Sequence, residues 1–98
     1  MAFEIQTHDD ETALFLRGDV NISMTSELRA ALEAIPSHID MTVHASDLVY
    51  IDSSGVACLM LAYKHLKASG ATIRLRAPSE TLMNVLKTLR FDSLFVID

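Results

Sequence analysis

Apolar and polar residues alternate over Phe3-Glu4-Ile5-Gln6-Thr7, the pattern of a strand with one buried face. His8-Asp9-Asp10-Glu11 is a polar tip, and Ala13-Leu14-Phe15-Leu16 predicts the returning strand of a hairpin, ended by Gly18-Asp19. The period then changes. Leu28, Ala31, Leu32 and Ile35 fall at i, i+3, i+4 and i+7, one stripe of a helix with Ser23 or Thr25 as its cap and Pro36 as its stop. Period two returns at Ile39, Met41, Val43 and Ala45. Ser46 to Ile51 reads as a short bridge into Asp52-Ser53-Ser54-Gly55, and a helix follows to about Ser69, with Gly70 as its left-handed terminator. Thr72 to Arg76 predicts a fourth strand. Pro78 opens a last helix in its first turn, lined by Leu82, Val85, Leu86 and Leu89. Phe91 to Ile97 fits a terminal strand or a short helical turn. The order β-β-α-β-α-β-α predicts an α/β fold: one domain over residues 1–98, with a mixed sheet of four to five strands and helices packed against it.

The helix after Gly55 is apolar on two sides. Val56, Leu59, Met60, Tyr63 and Leu66 form the stripe expected to pack on the sheet. Cys58 and Leu61 point the other way, followed by His65 and Ala68. Such a second apolar face is either covered by neighbouring helices or exposed, and because a short chain has few helices to spare, docking of a partner is the expectation.

Composition narrows the function classes. The chain has 98 residues, 50% of them apolar, so it builds one core and is not disordered. Eight Lys and Arg stand against thirteen Asp and Glu, a net charge of −5 with no basic stripe. That balance argues against nucleic acid and against an anionic membrane surface. A lone cysteine, Cys58, excludes an internal disulfide. Met1-Ala2-Phe3-Glu4 lacks the basic and apolar regions of a signal peptide, and the apolar run Val56 to Ala62 is too short for insertion in a bilayer. A cytoplasmic location is the expectation. His8, His38, His44 and His65 lack metal-ligand spacing and are expected on the solvated surface. Neither a nucleophile elbow nor a phosphate-binding Gly-rich loop occurs, so no catalytic, metal or cofactor site is expected.

One junction looks chemically chosen. Tyr50-Ile51 runs into Asp52-Ser53-Ser54-Gly55, and such hydroxyl and carboxylate residues commonly cap a helix. Hydroxyls there also sit among free N–H groups at the positive end of the helix dipole, where a phosphate is tolerated.

With Leu48-Val49-Tyr50-Ile51 before it, Asp52-Ser53-Ser54-Gly55-Val56 resembles the signature of the bacterial STAS domains, typified by anti-sigma-factor antagonists. The similarity extends along nearly the whole chain. Gly18-Asp19-Val20-Asn21 resembles the family's Gly-Glu-Leu-Asp turn, Lys67-Ala68-Ser69-Gly70 with Ile73-Arg74-Leu75 its next helix end and strand, and Ser79 to Phe95 its closing segment. The resemblance implies a binding switch rather than an enzyme. It makes Ser53 the phosphoacceptor of a serine kinase of the histidine-kinase-like ATPase fold, which is also the anti-sigma factor, and a PP2C-type phosphatase reverses the step. It implies that the unmodified form binds and the phosphorylated form does not. Asp19, Asn21, Asp52, Ser54, Gly55, Cys58 and Leu61 are then the partner-binding residues. Asn21 replaces the family's usual Asp, which bears on recognition there and not on the fold. The downstream effector ranges from a sigma factor, in transcription regulation, to a phosphatase, a diguanylate-cyclase-type protein or a biofilm regulator. STAS domains of this length also dock on the ATPase of lipid-transport ABC complexes without a phosphorylation cycle, and that is the alternative.

Overall fold

The computed structural model describes residues 3–98. The N-terminal alternation becomes β1 (Phe3–Thr7), joined to β2 (Thr12–Val20) by a turn in which the His8 N–H donates to the Glu11 carbonyl at 2.9 Å. There follow α1 (Ile22–Glu33), β3 (Met41–Ile51), α2 (Ser53–Lys67), β4 (Ile73–Arg76), α3 (Glu80–Thr88), a 3-10 turn (Asp92–Leu94) and β5 (Val96–Ile97). The sheet order is β1-β2-β3-β4-β5, with β1 antiparallel to β2 and every other pair parallel. The expected α/β architecture is the one observed, with all five strands formed. The closing segment is both things expected of it, a helical turn and then a strand.

Strand alternation decides where the core sits. Leu14 and Leu16 of β2, Met41, Val43 and Ala45 of β3 and Ile73 and Leu75 of β4 are buried. They join Leu28 and Leu32 of α1, Leu59 and Leu66 of α2 and Leu82 and Leu86 of α3 in one cluster. The shortest dimension, 19 Å, accommodates one sheet and one layer of helices. Across the other face runs the register row Glu4, Phe15, His44 and Arg76.

Both strands beside the Asp-Ser-Ser junction are longer than expected. β2 does not end at Gly18-Asp19. It continues to Val20, because Asp19 and Val20 pair with Tyr50 and Ile51 of β3. Gly18, at φ +63, makes this possible by absorbing a register shift in the left-handed region. Ser46 to Ile51 is correspondingly part of β3 and not a bridge. β4 reaches only to His44 of β3, and α3 lies along the remaining half, where the Ser79 N–H donates to the Ala45 carbonyl at 3.0 Å.

Helix starts shift by a few residues for local reasons. Asn21, rather than Ser23 or Thr25, caps α1, its Oδ1 accepting from the Ser23 N–H at 3.0 Å. Ser79 caps α3, so Pro78 precedes the cap instead of opening the first turn. Gly70 ends α2 at φ +77, with its own N–H donating to Lys67 and the Ala71 N–H donating to Leu66, as a Schellman closure requires. Arg90 closes α3 through the same pattern, with N–H groups of Arg90 and Phe91 donating to Lys87 and Leu86, but at φ +60 with a side chain. Arg90→Gly removes that strain and is expected to raise stability by about 0.5–1 kcal/mol in denaturant unfolding.

Two histidines correct the solvated expectation. His44 is half-buried and stacks on Phe15 with centroids 4.6 Å apart. His65 is half-buried, and its Nε2 lies 2.8 Å from the Ile35 carbonyl just beyond α1. His8 and His38 are exposed.

Candidate functional site

The carboxyl ends of β2 and β3 stop together, with Val20 paired to Ile51 and the Asp52 N–H donating to the Val20 carbonyl at 3.2 Å. α1 and α2 therefore begin side by side. Asp52 joins the two starts. One carboxylate oxygen accepts from the Ile22 N–H at 3.1 Å, in the first turn of α1. The other accepts from the Gly55 N–H at 3.1 Å and from the Ser54 hydroxyl, in the first turn of α2. One side chain thus satisfies orphan donors of two helices.

The paired serines are not equivalent. Ser54 is half-buried, its hydroxyl donating to Asp52 and accepting from the Thr25 hydroxyl at 3.2 Å. Ser53, the first residue of α2, is exposed and its side chain makes no hydrogen bond among the described residues. Ser53 thus offers a free hydroxyl at the surface, and the Ser54 hydroxyl is occupied. The N–H groups of the first α2 turn offer partial positive charge to a phosphate placed there.

The Ser54 hydroxyl bond holds the Asp52 carboxyl below its ordinary value of 3.8, against a smaller upward push from partial burial and with help from the Gly55 and Ile22 N–H groups. A carboxyl depressed in the folded state contributes stability that is present above its unfolded value and lost as pH falls through the folded one. The stability difference between the wild type and Asp52→Asn is therefore expected to be constant at neutral pH and to shrink on acidification below about pH 4. Urea melts across that range measure it; a difference independent of pH contradicts the Asp52 assignment.

The seven expected partner-binding residues separate into three groups. Asp19, Asn21, Asp52 and Ser54 gather with Ser53 at the end of the sheet, Asp19 exposed on β2 opposite Tyr50 and Asn21 half-buried as the α1 cap. Gly55 and Cys58 are both buried, which does not fit the exposed docking position expected of them. A Cβ on Gly55 would meet Ile51 Cγ1 at 2.7 Å and Val20 Cγ1 at 2.9 Å, so this residue lets α2 approach the sheet. Cys58 faces α1, its thiol 3.6 Å from the Thr25 carbonyl, and burial pushes that thiol upward. α1 covers this part of the second apolar face, which was expected to be free. Leu61 is half-buried at a groove shared with Glu33, Lys64 and His65.

The exposed apolar surface lies elsewhere. Ile22 is 76% exposed, Val49 67% and Leu89 45%, at the start of α1, the end of β3 and the end of α3. Periodicity holds a signal for Ile22, which lies seven residues before the exposed Arg29 and off the Leu28 stripe. Leu89 lies on the buried stripe and gives none. It stands one residue beyond Thr88, as the C-cap of α3.

Comparison with known proteins agrees with this fold. A family model described as the Mlab STAS domain matches residues 3–97. The fold is similar to a putative anti-sigma factor antagonist (tm1081) from Thermotoga maritima, with TM-score 0.83 and 22% identity over 97% of this chain and 84% of that one. It is similar to the anti-sigma factor antagonist SpoIIAA in its unphosphorylated form, with TM-score 0.83 and 19% identity over 99% and 88% of the two chains. The Bacillus cell fate determinant SpoIIAA in its phosphorylated form matches at TM-score 0.79 and 19% identity over 99% and 91%. With the family matched over all but three residues, and with the Asp52 to Gly55 junction placed at the start of α2, the chain belongs to the STAS domain family.

Proposed function

We propose that the protein is a phosphorylation-controlled binding switch of the anti-sigma-factor-antagonist kind, with Ser53 as the phosphoacceptor. The observation that supports it most is the contrast between the free, exposed Ser53 hydroxyl and the occupied Ser54 hydroxyl. Unmodified, the end of the sheet docks a partner through Asp19, Asn21 and Asp52 together with exposed Ile22. The partners that fit are a serine kinase of the histidine-kinase-like ATPase fold, which is also the anti-sigma factor, and a PP2C-type phosphatase that resets the switch. Similarity to SpoIIAA, described in both unphosphorylated and phosphorylated forms, supports the reading. The protein then works by binding rather than by catalysis, and its place is the cytoplasm, where such partners act.

Ser53→Ala is expected to stay folded and bind the partner constitutively, and Ser53→Asp to lose binding. Pull-down against the kinase tests both. If both variants bind as the wild type does, Ser53 is not the switch.

A second reading is favoured by the family description, which names Mlab. In it the domain docks through the same surface on the ATPase of a lipid-transport ABC complex, with no phosphate cycle. Co-purification of that ATPase with a permanently unmodified Ser53 distinguishes it.

A further inference from the structure

A groove of about 310 Å³ lies between α2 and α3 beside Ser53. Its apolar lining is Ile51, Val56, Val85 and Leu89, and Asp52, Ser53, Asn84 and Thr88 supply the polar remainder. The Thr88 hydroxyl, on the α3 wall, donates to the Asn84 carbonyl at 2.8 Å and so asks nothing of an occupant. Leu89 is among the largest exposed apolar side chains of the molecule. Among the described residues the Asp52 carboxylate has N–H and hydroxyl donors but no cation. The ion pairs among the described residues join Arg17 to Glu4, Arg29 to Glu33, and Arg74 and Arg76 to Asp98.

We infer that this groove receives the aliphatic anchors of a cationic amphipathic helix from a partner protein, with a basic side chain of that helix meeting Asp52. Charge selects this occupant. A fatty acid or a phospholipid would set its anionic head against Asp52, and a second copy of the chain would bring another −5 and a second Asp52. A helix with apolar residues on one face and Lys or Arg beside them matches both the apolar lining and Asp52, in the helix-in-groove mode. The inference deepens the switch reading, on which it rests, because a phosphate on Ser53 would stand in the lining of the same groove.

Methyl NMR of the full chain tests it with defined probes. A synthetic amphipathic Leu/Lys helix, its Leu/Glu counterpart and decanoate are each titrated, beside a dilution series of the protein alone. The Leu/Lys peptide is expected to shift the methyls of Ile51, Val85 and Leu89 saturably. Leu89→Gln should weaken that binding about tenfold. Asp52→Asn should weaken it about threefold. Silent methyls, an equal response to the Leu/Glu peptide, a response to decanoate alone, or shifts on dilution each overturn the inference, the last two in favour of a fatty acid and of self-association. Ser53 phosphorylated in cells with the groove silent would leave the switch standing and remove the groove from it.

Discussion

Phosphorylating Ser53 is expected to weaken partner binding by roughly several hundredfold while barely moving the melting temperature. The modification takes the net charge from −5 to about −7 and puts the new charge at the exposed start of α2. In a docked interface, one like-charge contact at 4 Å and an effective dielectric near 20 costs about 4 kcal/mol, and each 1.4 kcal/mol is tenfold in affinity. An apolar partner surface suffers comparably, because it must desolvate the phosphate. The fold escapes the cost, since the Ser53 side chain has no intramolecular bond to lose and the first turn of α2 favours an anion. Calorimetric titration of the two forms with the partner, at two salt concentrations, reads the loss and its screening. Equal affinity of both forms contradicts the expectation, as does a phosphorylated form that unfolds.

Gly55→Ala is expected to destabilise the protein, by up to about 2 kcal/mol. In an open helix the change would help, by roughly 1 kcal/mol. Here the added methyl lands 2.7 Å from Ile51 Cγ1 and 2.9 Å from Val20 Cγ1. Neither neighbour can retreat easily. Both are buried, and they are paired in register across β2 and β3. Overpacking of this kind costs about 1–3 kcal/mol, and contacts this short place Gly55 toward the upper part of that range, above the helix gain. For a chain of this size each kcal/mol lost lowers the melting temperature by about 4–8 °C. The displaced start of α2 also pulls Asp52 from the Ile22 N–H, so partner binding should fall along with stability. A variant as stable as the wild type would show that α2 has room here which the geometry denies.

Gly55 also shows where the sequence was legible and where it was not. The alternation at Phe3–Thr7 and the stripe at Leu28, Leu32 and Ile35 placed elements correctly, because each reports burial on one face. Asp52-Ser53-Ser54-Gly55 placed the start of α2 for a local reason, the side-chain oxygen of Asp52 reaching Gly55. What failed depends on distant chain. Gly18 reads as a stop, and only pairing with Tyr50 and Ile51 carries β2 past it. Cys58 reads as a spare apolar residue, and only the approach of α1, with Thr25 beside it, buries it. The occupation of the Ser54 hydroxyl by Thr25, twenty-nine residues away, has no local signature at all. Leu89 lies on the apolar stripe of α3 and is nonetheless exposed, which the period alone does not reveal.

The most direct measurement is site-resolved mass spectrometry of the protein purified from its native cells. A phosphate is expected on Ser53, absent from Ser54, and it should disappear on treatment with a PP2C-type phosphatase. A chain that stays unmodified at Ser53 across growth conditions, or that carries its phosphate on Ser54, would contradict that expectation.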